Sequence, residues 1–508
     1  MNQVLKLALA SILAAPVVLP GGALAAPPKA ASSARSAVAV AQANADEIAA
    51  IRAQMQALSD RLQKLETTNQ DLEKQNAQLK KAAEDATLQV KQVQADTDAT
   101  IDTLAKTRSA LPEWVSRINL KGDFRYRHED INSGSDALAI ANGGGTLDRE
   151  RERIRARLAI TAKVNDAISV GVRLATSETG SNFNTTVNTP NGPIVVPVYD
   201  SRMDPRSPNV TLGGYGAKKT VAFDQAYVEW TPSADFKVTA GKMAYPWARP
   251  SQSLFFDGDI NPDGVAVNFN HGYFFANAFY FWLNEVTSSA TDRADANMTG
   301  GQVGIKYPIS AKSAITVAAS YQKDGSVAGR ATSSFFGQNT NGNSTRTVGT
   351  STVLRDEFKI AEAFAEYSYN LSTSSFGELP LGLYVQYARN SGASEETGGT
   401  AKGKTLDKAY GGGISLGKAA APGTWEVAYM YQKIEKNSLF GQWIDSDFGN
   451  GVTDTKGHVI KAAYAPYKNT TLNLTYFINQ LNVDAGNQGN NPQGRNYDRL
   501  QLDFNFKY

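Results

Sequence analysis

The sequence contains no cysteine, only three histidines and almost no net charge. Without cysteine there is no disulfide framework, no thiol nucleophile and no cysteine-ligated zinc or iron–sulfur site. The 51 basic and 49 acidic side chains leave a formal charge of +2 at pH 7. That balance argues against a basic protein built for nucleic acid and against an acidic disordered chain. Beyond the first 25 residues no apolar run reaches the roughly 18 residues that a membrane helix needs. Membrane strands are not excluded, because their alternating residues average to the hydropathy of a soluble protein; here the mean hydropathy is -0.35. A chain of 508 residues is long enough for several domains and a large core.

What is present falls into segments. Residues 1–25 carry Lys6, an apolar stretch from Leu5 to Leu19, Gly21-Gly22 and Ala23-Leu24-Ala25. This is the order of a secretory signal peptide, with cleavage expected after Ala25. An anchor helix is the alternative, but the span is short and ends in helix breakers. Residues 26–44 are rich in Ala, Ser and Pro and read as a linker.

From residue 45 to 110 the period becomes helical. Ile48, Ile51, Met55, Leu58, Leu62, Leu65, Leu72 and Leu79 step by threes and fours, with Asn69 and Asn76 at two positions of the same stripe. Val90, Val93 and Leu104 continue it. This is the a/d seam of a heptad repeat, in which asparagine at a fixes register and strand number at a cost in stability. About 57 residues of helix reach roughly 85 Å. A single solvated helix is the alternative; an oligomerising coiled coil, two- or three-stranded, accounts better for one apolar stripe with nothing else to cover it.

Pro112 stops the helix, and the period becomes two. Ile118, Leu120, Phe124 and Tyr126 share one face, and Asn119, Lys121, Asp123, Arg125 and Arg127 the other. Ile154, Ala156, Leu158 and Ile160 oppose Arg153, Arg155 and Arg157 in the same way, and in the segment 223–230 Ala226, Val228 and Trp230 are expected on the lipid face, against Gln225, Tyr227 and Glu229 in the lumen. Such segments run about 9–13 residues, the length of a tilted membrane strand. Short connections at 165–166, 231–235, 270–272, 308–313, 371–380, 419–424 and 466–470 alternate with long polar ones at 130–148, 180–219, 242–264, 284–299, 324–357, 391–407, 435–456 and 481–497. The alternation predicts about sixteen antiparallel strands: an all-β transmembrane barrel over 112–508, preceded by the helical coiled coil, with both barrel ends on the short-turn side. Tyr and Trp next to the short turns, such as Trp230, Tyr307 and Tyr464, fit an interfacial girdle.

The last strand places Leu500, Leu502, Phe504, Phe506 and Tyr508 on one face. An exported chain ending in this way resembles the substrates of the outer-membrane barrel assembly machinery, although these end more often in Phe. The third long loop, 242–264, differs from the other long loops in its bulky residues, among them Tyr245, Trp247, Phe255 and Phe256, and it carries Asp257, Asp259 and Asp263. Bulky loop residues ask for burial, and the lumen is where they can find it. The spacing of the acids is tolerable for calcium but does not match an EF-hand; no metal and no cofactor is expected.

The stretches 114–129, 223–230, 240–243 (AGKM) and 255–267 (FFDGDINPDGVAV) carry a resemblance to the 16-stranded general porins of Gram-negative bacteria. Within them the chain is most similar to the putative-porin family that carries an N-terminal coiled coil. The resemblance implies an inward-folded third loop, with Asp257, Asp259, Asp263, Phe255 and Phe256 at a pore constriction. It implies a facing basic wall of Lys121, Arg125, Arg127, Arg153, Arg155, Arg157 and Arg173. It also implies a homotrimer, hence a three-stranded stalk; the barrel topology, with both ends on the short-turn side, places that stalk in the periplasm, and its length suggests trimer assembly or contact with peptidoglycan as its role. The expected function is passive diffusion of small hydrophilic solutes and ions. A channel selective for anions or sugars is the second reading, and a tether or adhesin with the barrel as anchor the third. On the residues alone, pairing of the arginines with Asp123, Asp148, Glu150 or Glu152 competes with an open basic wall. An enzyme is not expected: His128 and His458 fall near outer strand ends and His271 in a short periplasmic turn, and no G-x-S-x-G or H-E-x-x-H occurs.

Overall fold

The computed structural model describes residues 35–110, 113–133, 148–178, 183–189, 192–198, 203–286, 295–373, 377–484 and 493–508. The expected signal peptide lies outside them. The chain divides into two units, Met1–Ala110 and Leu111–Tyr508.

The first unit is one helix, α1 (Arg35–Ala110). It starts inside the stretch expected to be linker. Residues 35–44 hold four alanines and neither glycine nor proline, so helix propensity carries the helix back through them. Along it Ile48, Ile51, Met55, Leu58, Leu62, Leu65, Leu72 and Leu79 are each at least half exposed. Asn69 and Asn76 are exposed as well. The helix alone therefore leaves its apolar stripe in water.

The second unit opens with the short helix α2 (Glu113–Ser116). Sixteen barrel strands follow. The first eight are β1 (Ile118–Asn132), β2 (Arg149–Lys163), β3 (Ile168–Thr176), β4 (Val221–Ser233), β5 (Phe236–Lys242), β6 (Asp263–His271), β7 (Phe274–Asn284) and β8 (Ala296–Ser310). The second eight are β9 (Ser313–Gly325), β10 (Phe358–Thr373), β11 (Gly377–Asn390), β12 (Lys408–Gly417), β13 (Trp425–Ile434), β14 (Thr455–Tyr467), β15 (Thr470–Leu481) and β16 (Arg495–Lys507). Each pairs antiparallel with the next, and β16 returns to β1 with Phe504 opposite Tyr126 and Asp503 opposite Arg127. The barrel is closed, so no strand edge is left with unpaired backbone groups. At the seam the Gly122 amide donates to the Tyr508 carbonyl at 2.8 Å, and the Tyr508 amide returns a bond to Gly122 at 3.0 Å. The Tyr508 ring lies over Gly122, where a Cβ would stand 2.3 Å from it.

Alternation explains the two faces. On β1, Arg125, Arg127 and Glu129 are buried while Phe124 is exposed; on β15, Leu472, Leu474, Tyr476 and Ile478 are exposed. Val303, Ile305, Tyr307 and Ile309 form the same outward row on β8. Apolar surface of this extent would cost about 25 cal/mol per Å² in water, and hydrocarbon removes that cost. Val228 and Trp230 point outward from β4 as their alternation requires. A bulge interrupts β4 opposite Arg173 and Leu174. The extra residue lets Asp224 meet Arg173, the re-aiming that bulges provide.

Candidate functional site

The interior is organised by loops. Residues 243–262, between β5 and β6, fold into the barrel and touch strands from β2 round to β10. The Ala248 backbone exchanges two hydrogen bonds of 2.8 Å with the Gln302 amide of β8. The Ser251 hydroxyl donates to Glu366 of β10 at 2.7 Å. Asn261 accepts from Gln225 at 2.6 Å and from Arg173 at 3.2 Å. Asp259 meets Arg157 of β2 at 3.3 Å. The third loop thus crosses the lumen.

Its bulky residues hold it there. Trp247 packs on Phe279 and Phe281 of β7, with ring centroids 4.8 and 6.2 Å away, and on Tyr245 at 4.4 Å. Phe255, Phe256, Ile260 and Met243 are buried in the same apolar cluster.

That cluster is larger than one loop. It also takes in Leu439, Phe440, Trp443, Ile444 and Phe448 from residues 435–454, between β13 and β14, and Val327, Phe335 and Leu354 from residues 326–357. The third loop is therefore not alone in its bulky content; the seventh outer loop carries the same signal and folds inward for the same reason. The two loops are joined. The Asp257 amide donates to the Trp443 carbonyl at 2.9 Å, and the Ser446 amide donates to the Asp257 carboxylate at 2.8 Å. Burial first, and then the neighbouring Asp445, push the Asp257 carboxyl well above its ordinary pKa. Burial and Asp447 raise Asp445 to about 6. Burial would raise Asp447 too, but Arg127 and Arg499 outweigh it and hold that carboxyl well below the usual range.

The expected basic wall is a lattice of ion pairs. Arg155 and Arg157 share Asp123 at 2.9 and 2.8 Å. Arg127 grips Asp503 through two bonds of 2.6 and 2.8 Å and reaches Asp447 at 3.1 Å. Arg499 meets Asp447 at 2.6 Å, and Arg151 meets Glu129. Arg173 pairs with Asp224. Arg125 and Arg153 are held more loosely, with carboxylates at 3.8 and 3.7 Å and with Asn209 of the second outer loop accepting from both. Lys121 is exposed near the start of β1. Of the four acids that the sequence offered as partners, only Asp123 joins this lattice. Asp148 accepts from the Ser133 amide, and Glu152 pairs with His128.

The three acids of the third loop have three different surroundings. Asp259 faces Arg157, Asp257 is built into the junction with the seventh loop, and Asp263 opens β6 beside Lys242 at 3.7 Å. Glu129, Asp447, Arg499 and Asp503 were not singled out in the sequence. Barrel closure sets Asp503 beside Arg127, 376 positions earlier, and strand alternation on β16 is the one local sign of it. The three histidines lie apart, His128 on Glu152, His271 on Asp235 and His458 on the Tyr429 hydroxyl.

The sequence profile of the family described as "Putative porin" matches residues 29–189, 199–359 and 351–508. A search of curated proteins gives no match. Among solved structures the chain is similar to a triple mutant of Rhodopseudomonas blastica porin at 12% identity, covering 77% of this chain and 100% of that one with a TM-score of 0.38. It is similar to the same degree to OmpT, an outer membrane protein of Vibrio cholerae in a trimer form, with 77% and 99% covered and a TM-score of 0.38.

Proposed function

This chain belongs to the putative porin family and is an outer-membrane porin, and on that premise we propose that it passes small hydrophilic solutes and ions by passive diffusion with weak charge preference. It is a channel rather than an enzyme. The observation that carries the reading is the third loop crossing a closed barrel and meeting a wall whose arginines are nearly all paired. Paired charges attract polar solutes without trapping one sign of ion. Asp259 is then the third-loop acid at the constriction, opposite Arg157. Phe255 and Phe256 anchor the loop, Asp257 ties it to its neighbour, and Arg125 and Arg153 are the most loosely paired arginines of the wall. Swelling of liposomes that contain the protein, in sugars of increasing size, tests this. Rates should fall smoothly with solute size and not saturate; liposomes left impermeable by a folded barrel would overturn it.

The helix is proposed as the strand of a trimeric coiled coil in the periplasm. The exposed stripe from Ile48 to Leu79 supports association, and three strands match the oligomer that the porin resemblance implies. The strand count is even, so the chain enters and leaves the barrel on the short-turn side, which in such barrels faces the periplasm. Lipid around the barrel, the assembly machinery during insertion and peptidoglycan at the stalk are the proposed partners. Protease added to intact cells should leave the stalk uncut. Removing residues 26–110 should weaken the trimer on native gels; an unchanged trimer would remove that role.

A further inference from the structure

We propose that the seventh outer loop, residues 435–454, is a second constricting loop and that Asp447 on it sets the ion preference of the pore. The inference rests on the porin reading and deepens it. The third loop leaves the wall between β5 and β6, the seventh between β13 and β14. In a ring of sixteen strands these points are eight strands apart, so the loops enter from opposite walls. They meet through the Asp257–Trp443 and Ser446–Asp257 hydrogen bonds and through Tyr245 against Trp443 at 5.7 Å. Their joined span divides the lumen and leaves the ion-paired wall of β16, β1, β2 and β3 as the polar side.

On that side the seventh loop delivers the Asp447 carboxylate. Asp447 bridges Arg499 at 2.6 Å and Arg127 at 3.1 Å. Its side chain is 26% exposed, whereas those of Arg127 and Arg499 are 5% and 4% exposed. Water therefore meets the acid, with the guanidiniums behind it. Arg127 keeps Asp503 if Asp447 is neutralised, but Asp447 is the nearest acid to the Arg499 guanidinium, which otherwise donates to the Tyr497 hydroxyl and the Ser446 carbonyl. Loss of this one negative charge thus leaves the wall one positive charge richer beside the water path, with Glu129 the acid that still acts on Arg499. A unit charge about 5 Å from a permeating ion, in water with 0.1 M salt, changes the cation-to-anion ratio by roughly fivefold.

The test is reversal potential under a salt gradient for the full-length protein in planar bilayers. Asp447→Asn is nearly isosteric and should shift the permeability ratio toward anions by about fivefold at 0.1 M salt. Arg499→Gln should shift it toward cations, and the double variant should return it close to wild type. That return depends on charge and would not follow from mere loosening of the loop. Heat-modifiable gel mobility shows that each variant is a folded barrel. Folded variants with an unchanged ratio, or a double variant that does not return, would overturn the inference and leave the channel reading intact. A folded wild-type barrel that gives no channels would remove the channel reading and this inference with it.

Discussion

Trp247→Ala removes a side chain that fastens the third loop to the wall. Trp247 is 8% exposed and its ring packs against Tyr245, Phe256, Phe279 and Phe281 within 6.2 Å. Truncating a buried Trp to Ala costs about 3–5 kcal/mol, because the void is only partly refilled. Little of that cost should fall on the barrel, whose strand ladder is untouched; it falls on loop docking. At about 1.4 kcal/mol per factor of ten, the undocked population rises roughly 10²- to 10⁴-fold. The polar anchors at Gln302 and Glu366 remain, so the loop should flicker rather than leave. Single-channel recording should show excess open-channel noise and brief steps of larger conductance, with gel mobility unchanged. Phe223→Ala is the control, since Phe223 is 66% exposed on the lipid face and its loss should leave conductance as it was. A quiet Trp247→Ala channel of wild-type conductance would refute the claim that apolar packing in the lumen positions the loop.

Asp259→Asn should shift ion preference toward anions, because Arg157 then keeps only Asp123; an unchanged reversal potential would place Asp259 outside the ion path. The loop junction should also depend on pH. Asp445 is raised to about 6 and Asp257 is raised as well, so the folded junction holds protons more tightly than separated loops do. The resulting stability is complete at acid pH, below the ordinary carboxylate range, and is lost as pH rises through about 6. Hydrogen exchange of residues 435–454, corrected for the intrinsic rate, should be slower at pH 5 than at pH 8; equal protection would contradict this. Replacing Asn69 and Asn76 by Leu should raise the melting temperature of the stalk and loosen its strand number; no change in either would mean that these asparagines lie outside a buried seam.

The strands were legible because lipid on one side and water on the other force a period of two over long stretches, and the connections obey one rule of alternation. The seventh loop was legible in principle: Leu439, Phe440, Trp443, Ile444 and Phe448 are as bulky as the residues that drew attention to the third loop. The start of α1 was not, since an Ala/Ser-rich stretch serves equally as linker or helix until Pro or Gly decides. The charge lattice was the least legible part. A row of arginines on one face says that cations line the lumen, but their partners come from strand pairing and loop folding. Asp503 reaches Arg127 only through closure, and Asp447 only through a loop that enters between β13 and β14. The Asp224 bulge, one extra residue in β4, leaves no mark in the alternation until the register is known.

On this reading the barrel is an open pore narrowed by loops and nearly neutral along its wall. Single-channel conductance of the purified full-length protein in a planar bilayer, with a salt gradient across it, decides whether it is. Stable steps and a reversal potential close to zero are expected. A folded barrel that inserts without conducting, or one that passes a single sign of ion, would contradict it.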